Sequence, residues 1–391
     1  MDGGGFLSQG GYGCVFYPEI NCKGEDTDNK RFLSKIVEKS FNAQNEIKIS
    51  KLLNTKLKKW VENPLKNNFA PVLANCPVTV NQFDIHEQDK CDLFKKRDDQ
   101  FILMKIRYIN GNELDSFITQ NSNSSLIMLI FTSSYTHLLK SLQIMARARI
   151  CHFDIKGQNI IYDIESSLPI IIDFGLSINF AKLNIAKPNI TKLYDYFYVY
   201  EPMYYLWPLE VHLVNYILHV NSDLKRADIR KIAKEYVHNN VVLRIFSPDF
   251  QKKYENECYY ELNKYVGKNM NGIIARILKY WHTWDNYALS LLYMKLLHSL
   301  IKNDDGKVSQ NQFVSFFIKM CLSNIHPNPK KRLTINATIK TFNRFLYNQQ
   351  IDKKSVFEDI IMHIYKNKTT INKTILTNRR YMTTLAERTI R

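Results

Sequence analysis

His152-Phe153-Asp154-Ile155-Lys156-Gly157-Gln158-Asn159, followed by Ile172-Asp173-Phe174-Gly175, decides how this chain is read. Asp154 is placed to receive a proton, and Lys156 two residues on can neutralise negative charge. Asn159 and Asp173 are hard oxygen donors suited to Mg²⁺. A proton acceptor, a cation and metal-holding oxygens, in this order, are what phosphoryl transfer from ATP requires. Either stretch alone is a weak signal. The two together, with matching elements on both sides, are specific in combination.

Upstream, Ser8-Gln9-Gly10-Gly11-Tyr12-Gly13-Cys14-Val15 matches GxGxxGxV, with Gly10 and Gly13 at the second and third glycine positions and Ser8 in place of the first. A loop short of side chains lets backbone amides approach phosphates closely. Tyr12 is placed to cap the phosphates and Val15 to pack on the adenine. A plain hairpin turn also explains a lone glycine cluster. Lys35, in Phe32-Leu33-Ser34-Lys35, falls in the next expected strand, where an inward lysine would meet the α- and β-phosphates. A buried lysine needs a partner, and Glu46 on the following helix can supply one. The short gap between them implies a clipped loop before that helix.

Downstream, three further groups continue the series. Trp207-Pro208-Leu209-Glu210 resembles the Ala-Pro-Glu that closes the activation segment of protein kinases. Asp285, in Trp284-Asp285-Asn286-Tyr287, resembles their helix aspartate that braces the catalytic loop. Arg332, in Pro329-Lys330-Lys331-Arg332-Leu333, resembles the arginine that pairs with the segment-closing glutamate, here Glu210. His152 is read as a loop residue that hydrogen-bonds to backbone.

Hydrophobic periodicity gives a β-rich first part and an α-rich second part. Residues 6–9 and 14–17 read as a hairpin with the glycine loop at its tip. Residues 32–37 and 101–109 read as strands, and 45–53 as an amphipathic helix. From Asn110-Gly111-Asn112 onward the pattern turns helical, with a short helix at 114–118 and a long one at 126–148. Residues 160–163 and 170–172 read as a hairpin around a turn containing Pro169. A hinge is expected near 107–111. The apolar runs at 126–132 and 288–297 are too short for a bilayer and read as buried helices.

The 391 residues carry a formal net charge of +17. That balance favours anionic partners: nucleotide phosphates, nucleic acid, acidic protein tails or anionic membrane. A solvated lysine-rich surface explains it equally well. The cysteines, Cys14, Cys22, Cys76, Cys91, Cys151, Cys258 and Cys321, are odd in number, scattered and without CxxC spacing. They argue against a zinc site or a disulfide framework and for a reducing compartment. Met1-Asp2-Gly3 shows neither a signal-peptide pattern nor the myristoylation pattern.

Taken together, these motifs resemble the eukaryotic-type serine/threonine protein kinases over about residues 6–345. The resemblance implies an α+β, bilobal fold: a small β-rich N-lobe at 1–109 and a larger α-helical C-lobe at 110–347. The C-lobe would hold a helical insert at 211–279, and 348–391 would form a basic C-terminal extension. It implies ATP between the lobes, adenine hydrogen-bonded to the hinge near Arg107 and Ile109, Ile106 as gatekeeper and Glu113 on the ribose. Mg²⁺ would be held by Asn159 and Asp173, with Asp154 and Lys156 catalytic. Lys156 follows the pattern specific for serine and threonine.

Finer details resemble kinases of large nucleocytoplasmic DNA viruses: Gln9-Gly10-Gly11-Tyr12-Gly13-Cys14-Val15-Phe16-Tyr17-Pro18, Asn21-Cys22-Lys23-Gly24, Phe32-Leu33-Ser34-Lys35 and Trp207-Pro208-Leu209-Glu210-Val211. That implies a host-cytoplasmic or virion-packaged enzyme acting on viral structural or core proteins. Four departures stand out. Phe153 replaces the arginine that normally meets a phosphorylated activation loop, which implies activity independent of that phosphate. Leu209 intrudes between Pro208 and Glu210, the segment from Gly175 to Glu210 is long, and 211–279 has no place in a minimal kinase. The alternatives are a pseudokinase-like binding scaffold and a small-molecule kinase of related fold.

Overall fold

A computed structural model describes residues 5–10, 13–56, 67–83, 89–95, 100–122, 124, 126–301, 311–348 and 360. It has an N-terminal antiparallel β-sheet region followed by a largely helical C-terminal region. The chain divides into two compact units: Met1–Gly111 with Ile161–Ser177, and Asn112–Ile160 with Ile178–Arg391. The first boundary falls at the expected hinge. Residues 161–177, which carry Asp173, group with the N-terminal unit although the sequence reading places them in the C-lobe.

In the first unit, β1 (Gly5–Gly10), β2 (Gly13–Tyr17), β3 (Phe32–Glu38), β4 (Val72–Val78) and β5 (Phe101–Arg107) form one sheet in the order β1-β2-β3-β5-β4. Helix α1 (Phe41–Lys56) follows β3 after two residues, the clipped connection expected, and starts earlier than its apolar pattern suggests. Alternation sends side chains of each strand to opposite faces. On one face Val37, Val72, Ile102 and Met104 pack with Ala43 and Ile47 of α1. On the other, Cys14, Phe16, Ile36 and Leu103 pack beneath Phe83, Cys91 and Phe94. Two disulfides tie this second face together: Cys14–Cys91 and Cys22–Cys76, with Cα atoms 5.9 and 6.0 Å apart.

The disulfides overturn the cysteine reading from sequence. Four of the seven cysteines are paired, and Cys151, Cys258 and Cys321 are buried thiols. The odd total and the lack of CxxC spacing arise because paired and buried classes are mixed along the chain. The argument for a reducing compartment falls with it. Among the described residues, no helix is long and apolar enough to cross a membrane.

Two glycines have packing reasons. A Cβ on Gly13 would lie 2.3 Å from the carbonyl oxygen of Ile36, so β2 and β3 pair this closely only with glycine there. A Cβ on Gly157 would lie 2.8 Å from Cγ of Asp115. Gly11 and Tyr12, expected at the loop tip, lie outside the described residues, as does the C-terminal extension beyond 348 apart from Ile360.

Strand β6 (Gly111–Glu113) leads into helices α2 (Leu114–Gln120) and α3 (Ile127–Arg147) of the second unit. Short β7 (Ile150–Cys151) comes next. Strands β8 (Ile160–Asp163) and β9 (Leu168–Ile171) follow, then β10 (Ile178–Asn179), which pairs with β7. Pro169 lies inside β9 and not in the preceding turn. β9 is at the edge of its sheet, where a missing N–H is tolerated.

The remaining helices are α4 (Ile190–Leu193), α5 (Leu209–His219), α6 (Arg226–Asn239), α7 (Pro248–Asn263), α8 (Met270–Leu278), α9 (Trp284–Ile301), α10 (Gln312–Asn324) and α11 (Ile335–Asn348). α9 is buried on nearly every side, as an all-round apolar helix must be. Phe131 and Tyr135, one turn apart on α3, meet Tyr293 of α9, Phe317 of α10 and Phe342 of α11 at ring distances of 4.8–5.3 Å. The segment 211–279 contributes buried Ile229, Ile232, Tyr236, Ile273 and Ile277 to this core, so it is built into the unit.

Candidate active site

Functional side chains predicted from sequence gather into two clusters, one in each unit. In the first unit the sheet register sets Ser8 opposite Val15, Val15 opposite Lys35, and Lys35 opposite Met104. Direct cross-strand partners share a face. Ile106 is two residues from Met104 on β5 and lies on that face too. Ser8, Val15, Lys35 and Ile106, four of the residues expected to handle the nucleotide, thus share one side of the sheet.

On this face Lys35 Nζ lies 2.9 Å from Glu46 Oε2 and 3.3 Å from Asp173 Oδ1. Burial pulls the Lys35 pKa down, but Asp173 and then Glu46 outweigh it, so the ammonium is held charged. Burial pushes the Glu46 carboxyl up, and Lys35 pulls it back. Neighbouring Asn45 donates to the carbonyls of Gly175 and Ser177 at 2.9 and 2.7 Å, which fastens the Asp173 segment to α1. Phe174 is fully buried with its ring edge-on to Phe69. Asp173 adopts φ +62°, a backbone region that non-glycine residues rarely enter. Its carboxylate is the most exposed of the three charged groups, at 27% against 13% for Lys35 and 5% for Glu46. An entering cation would therefore meet Asp173 first.

In the second unit, Asp285 at the start of α9 accepts from the amides of His152 at 2.7 Å and Phe153 at 2.9 Å. Burial pushes its pKa up, and these donors oppose that. His152 Nδ1 accepts from the Asp154 amide at 3.3 Å, the backbone role expected of it. Phe153 takes φ +68°, and its buried ring stacks on Trp207 at 5.3 Å and touches Phe197 and Trp284. Its carbonyl accepts from Trp207 Nε1 at 3.1 Å. An aromatic box thus stands where the resemblance would place an arginine.

This pinned loop presents Asp154. Oδ2 takes Lys156 Nζ at 2.8 Å and Asn159 Nδ2 at 2.8 Å. The Asn159 amide also donates to the Asp154 carbonyl at 2.9 Å, which leaves Asn159 Oδ1 as the oxygen for a cation. The hydroxyl of Tyr204 donates to Asp154 Oδ1, a contact the sequence reading missed. The only available signal was a tyrosine-rich run from 194 to 205, which does not single out one residue.

Further along, Glu210 and Arg332 form the expected pair, with contacts of 2.6 and 2.8 Å and both side chains buried. Burial pulls the Arg332 pKa down, and the Glu210 carboxylate more than reverses it. Trp284 Nε1 donates to the same carboxylate at 3.0 Å. Leu209 is buried at the start of α5 beside this pair, so the intrusion is absorbed as core.

Three other predicted residues are placed as follows. Ile109 is buried with Ala70 and Ile170. The Arg107 guanidinium has its pKa lowered by burial. Glu113 immediately precedes α2. Asn159 Oδ1 in the second unit and the Asp173 carboxylate in the first are each hard oxygen donors of the kind Mg²⁺ takes. Among the described residues there is no group of three or more His, Cys, Asp or Glu side chains that could hold a resident metal. No protein-family model matches the chain, and no curated protein is significantly similar to it.

Proposed function

We propose that this chain is a bilobal serine/threonine protein kinase that transfers the γ-phosphate of Mg²⁺-ATP to protein hydroxyls. The observation that carries the reading is the Asp154–Lys156–Asn159 constellation on a loop whose amides are held by Asp285. Asp154 would accept the proton of an incoming hydroxyl that displaces the Tyr204 hydroxyl from Oδ1. Lys156 neutralises the transferring phosphoryl group. Lys35, held charged between Glu46 and Asp173, has the strength to grip phosphates. Mg²⁺ bound with the nucleotide would supply charge neutralisation on the phosphate oxygens, and Asn159 and Asp173 are the residues proposed to hold it.

The resemblance to viral kinases supports action in the host cytoplasm or the virion on viral structural or core proteins. The net charge of +17 is compatible with nucleic-acid or anionic-membrane contact. A steep fall of binding with salt would reveal such a contact.

The test is phosphorylation of a mixed protein substrate with Mg²⁺-ATP, comparing wild type with Asp154→Asn. Phosphoserine and phosphothreonine should appear with wild type only. Labelling that survives Asp154→Asn would remove the mechanism. Phosphorylated metabolite in place of protein would favour the small-molecule kinase, and nucleotide binding without transfer would favour the scaffold.

A further inference from the structure

Beside the catalytic loop, within the second unit, lies a small hollow, partly open to solvent. Its polar lining is Asp115, Lys156, Gln158, Tyr205, Lys295 and Ser299. Two of its walls adjoin the reacting group: Lys156 bonds to Asp154, and Tyr205 follows the tyrosine that touches the same carboxylate. A peptide presenting a hydroxyl to Asp154 would therefore place a flanking side chain in this cavity.

The charges of the lining are unequally satisfied. Lys156 is paired with Asp154. Asp115 sits against Gly157, and its Oδ1 accepts from the Ser116 amide at 3.1 Å. Lys295, on α9, is half-buried. Its ammonium has one hydrogen-bond partner, the Tyr205 hydroxyl at 3.3 Å, and lies 5.8 Å from the Tyr205 ring centre. Among the described residues no carboxylate lies within ion-pair distance of it. A half-buried cation without a counter-charge attracts an anion strongly. Burial pushes the Lys295 pKa down to about 8, and Asp115 only partly restores it. The groups facing Lys295 are Ser299 on its own helix, Asp115 from α2, Lys156 and Gln158 from the catalytic loop, and Tyr205.

We propose that this cavity is a substrate subsite for an anionic side chain flanking the phosphorylated residue, with Lys295 as its specificity-determining group. The inference rests on the protein-kinase reading. The anion is a carboxylate or a phosphate already present on the substrate, and the two differ in how many oxygens they offer.

Matched serine peptides carrying Ala, Glu, phosphoserine or Lys beside the acceptor should be measured two ways with the full chain. One is binding by fluorescence anisotropy. The other is initial rate with Mg²⁺-ATP. Wild type should bind the Glu or phosphoserine peptide about tenfold tighter than the Ala peptide, and the better of the two identifies the source of the anion. Lys295→Met, which keeps the apolar stem, should bring that ratio to about 1. Lys295→Glu should turn the preference towards the Lys peptide. A ratio that is the same in wild type and a folded Lys295→Met protein overturns the subsite, whatever the rates. Lys295-dependent binding with no transfer to any peptide would leave the subsite standing and overturn the kinase reading instead.

Discussion

The Tyr204 hydroxyl donates to Oδ1 of Asp154, the carboxylate oxygen that Lys156 and Asn159 leave uncovered. Under the proposed kinase reading it fills the position from which a substrate hydroxyl would hand over its proton, and an incoming residue would have to displace it. A hydrogen bond to a charged acceptor is worth about 1.5–3 kcal/mol. Tyr204→Phe removes the competitor and keeps the ring that packs on Trp207 at 4.7 Å. The expected result is a rise in kcat/KM of roughly ten- to a hundredfold towards a peptide substrate. A fall of tenfold or more would show that Tyr204 positions Asp154 and does not obstruct it.

Glu210 and Arg332, far apart in sequence, are joined by two hydrogen bonds in a site closed to solvent. Removing one partner strands the other charge. Arg332→Ala or Glu210→Ala should each lower unfolding free energy by about 3–5 kcal/mol. Losing both should cost less than the sum of the single losses. Urea denaturation of the four proteins measures this, and strict additivity would mean that the pair is not coupled.

How much of this could be read beforehand depended on distance along the chain. Asp154, Lys156 and Asn159 lie within six residues, so local spacing exposed them. The strands β2 and β3 were visible through alternation. β4 was not, because its two ends are buried while its middle is largely exposed, and Pro77 interrupts it. The Tyr204–Asp154 contact joins residues 50 apart, and nothing local ranks Tyr204 above its neighbours. The disulfides were hidden for a related reason. Their partners are 77 and 54 residues apart, and three buried thiols obscure the even set.

Those disulfides close long loops in a unit with a small core. In the chain-entropy account each restrains the unfolded chain by about 4 kcal/mol. Cys22→Ser with Cys76→Ser, or Cys14→Ser with Cys91→Ser, should destabilise the first unit by that order. Alkylation before and after reduction, read by mass, should find three thiols in the unfolded, unreduced protein and seven after reduction. Seven thiols before reduction would show that the bonds do not form.

Phe153 fills its site with an aromatic ring packed among Phe197, Trp207 and Trp284. No guanidinium is there to read a phosphate on the segment from Gly175 to Glu210. Phosphatase treatment of purified protein should therefore change peptide phosphorylation by less than about twofold, a free-energy difference of roughly 0.4 kcal/mol. A collapse in rate would mean that a phosphate acts through some other residue.

His212 on α5 is buried, its Nε2 has no hydrogen-bond partner, and burial lowers its pKa from 6.5 to about 4. Backbone hydrogen bonds to Trp207 and Tyr204 oppose the shift without cancelling it. Between pH 6.5 and about 4 the unfolded chain takes up a proton that the folded ring refuses. Stability therefore rises with pH across that window and is lost on acidification, by at most about 3 kcal/mol from this group. Carboxylates also titrate there, so the informative quantity is the difference between wild type and His212→Gln. At pH 7 the wild type should be the more stable, because its neutral ring packs against Tyr236 and Trp207. The gap should narrow steadily as pH falls towards 4. Parallel pH profiles for the two proteins would show that His212 protonates as easily in the folded state as in the unfolded one.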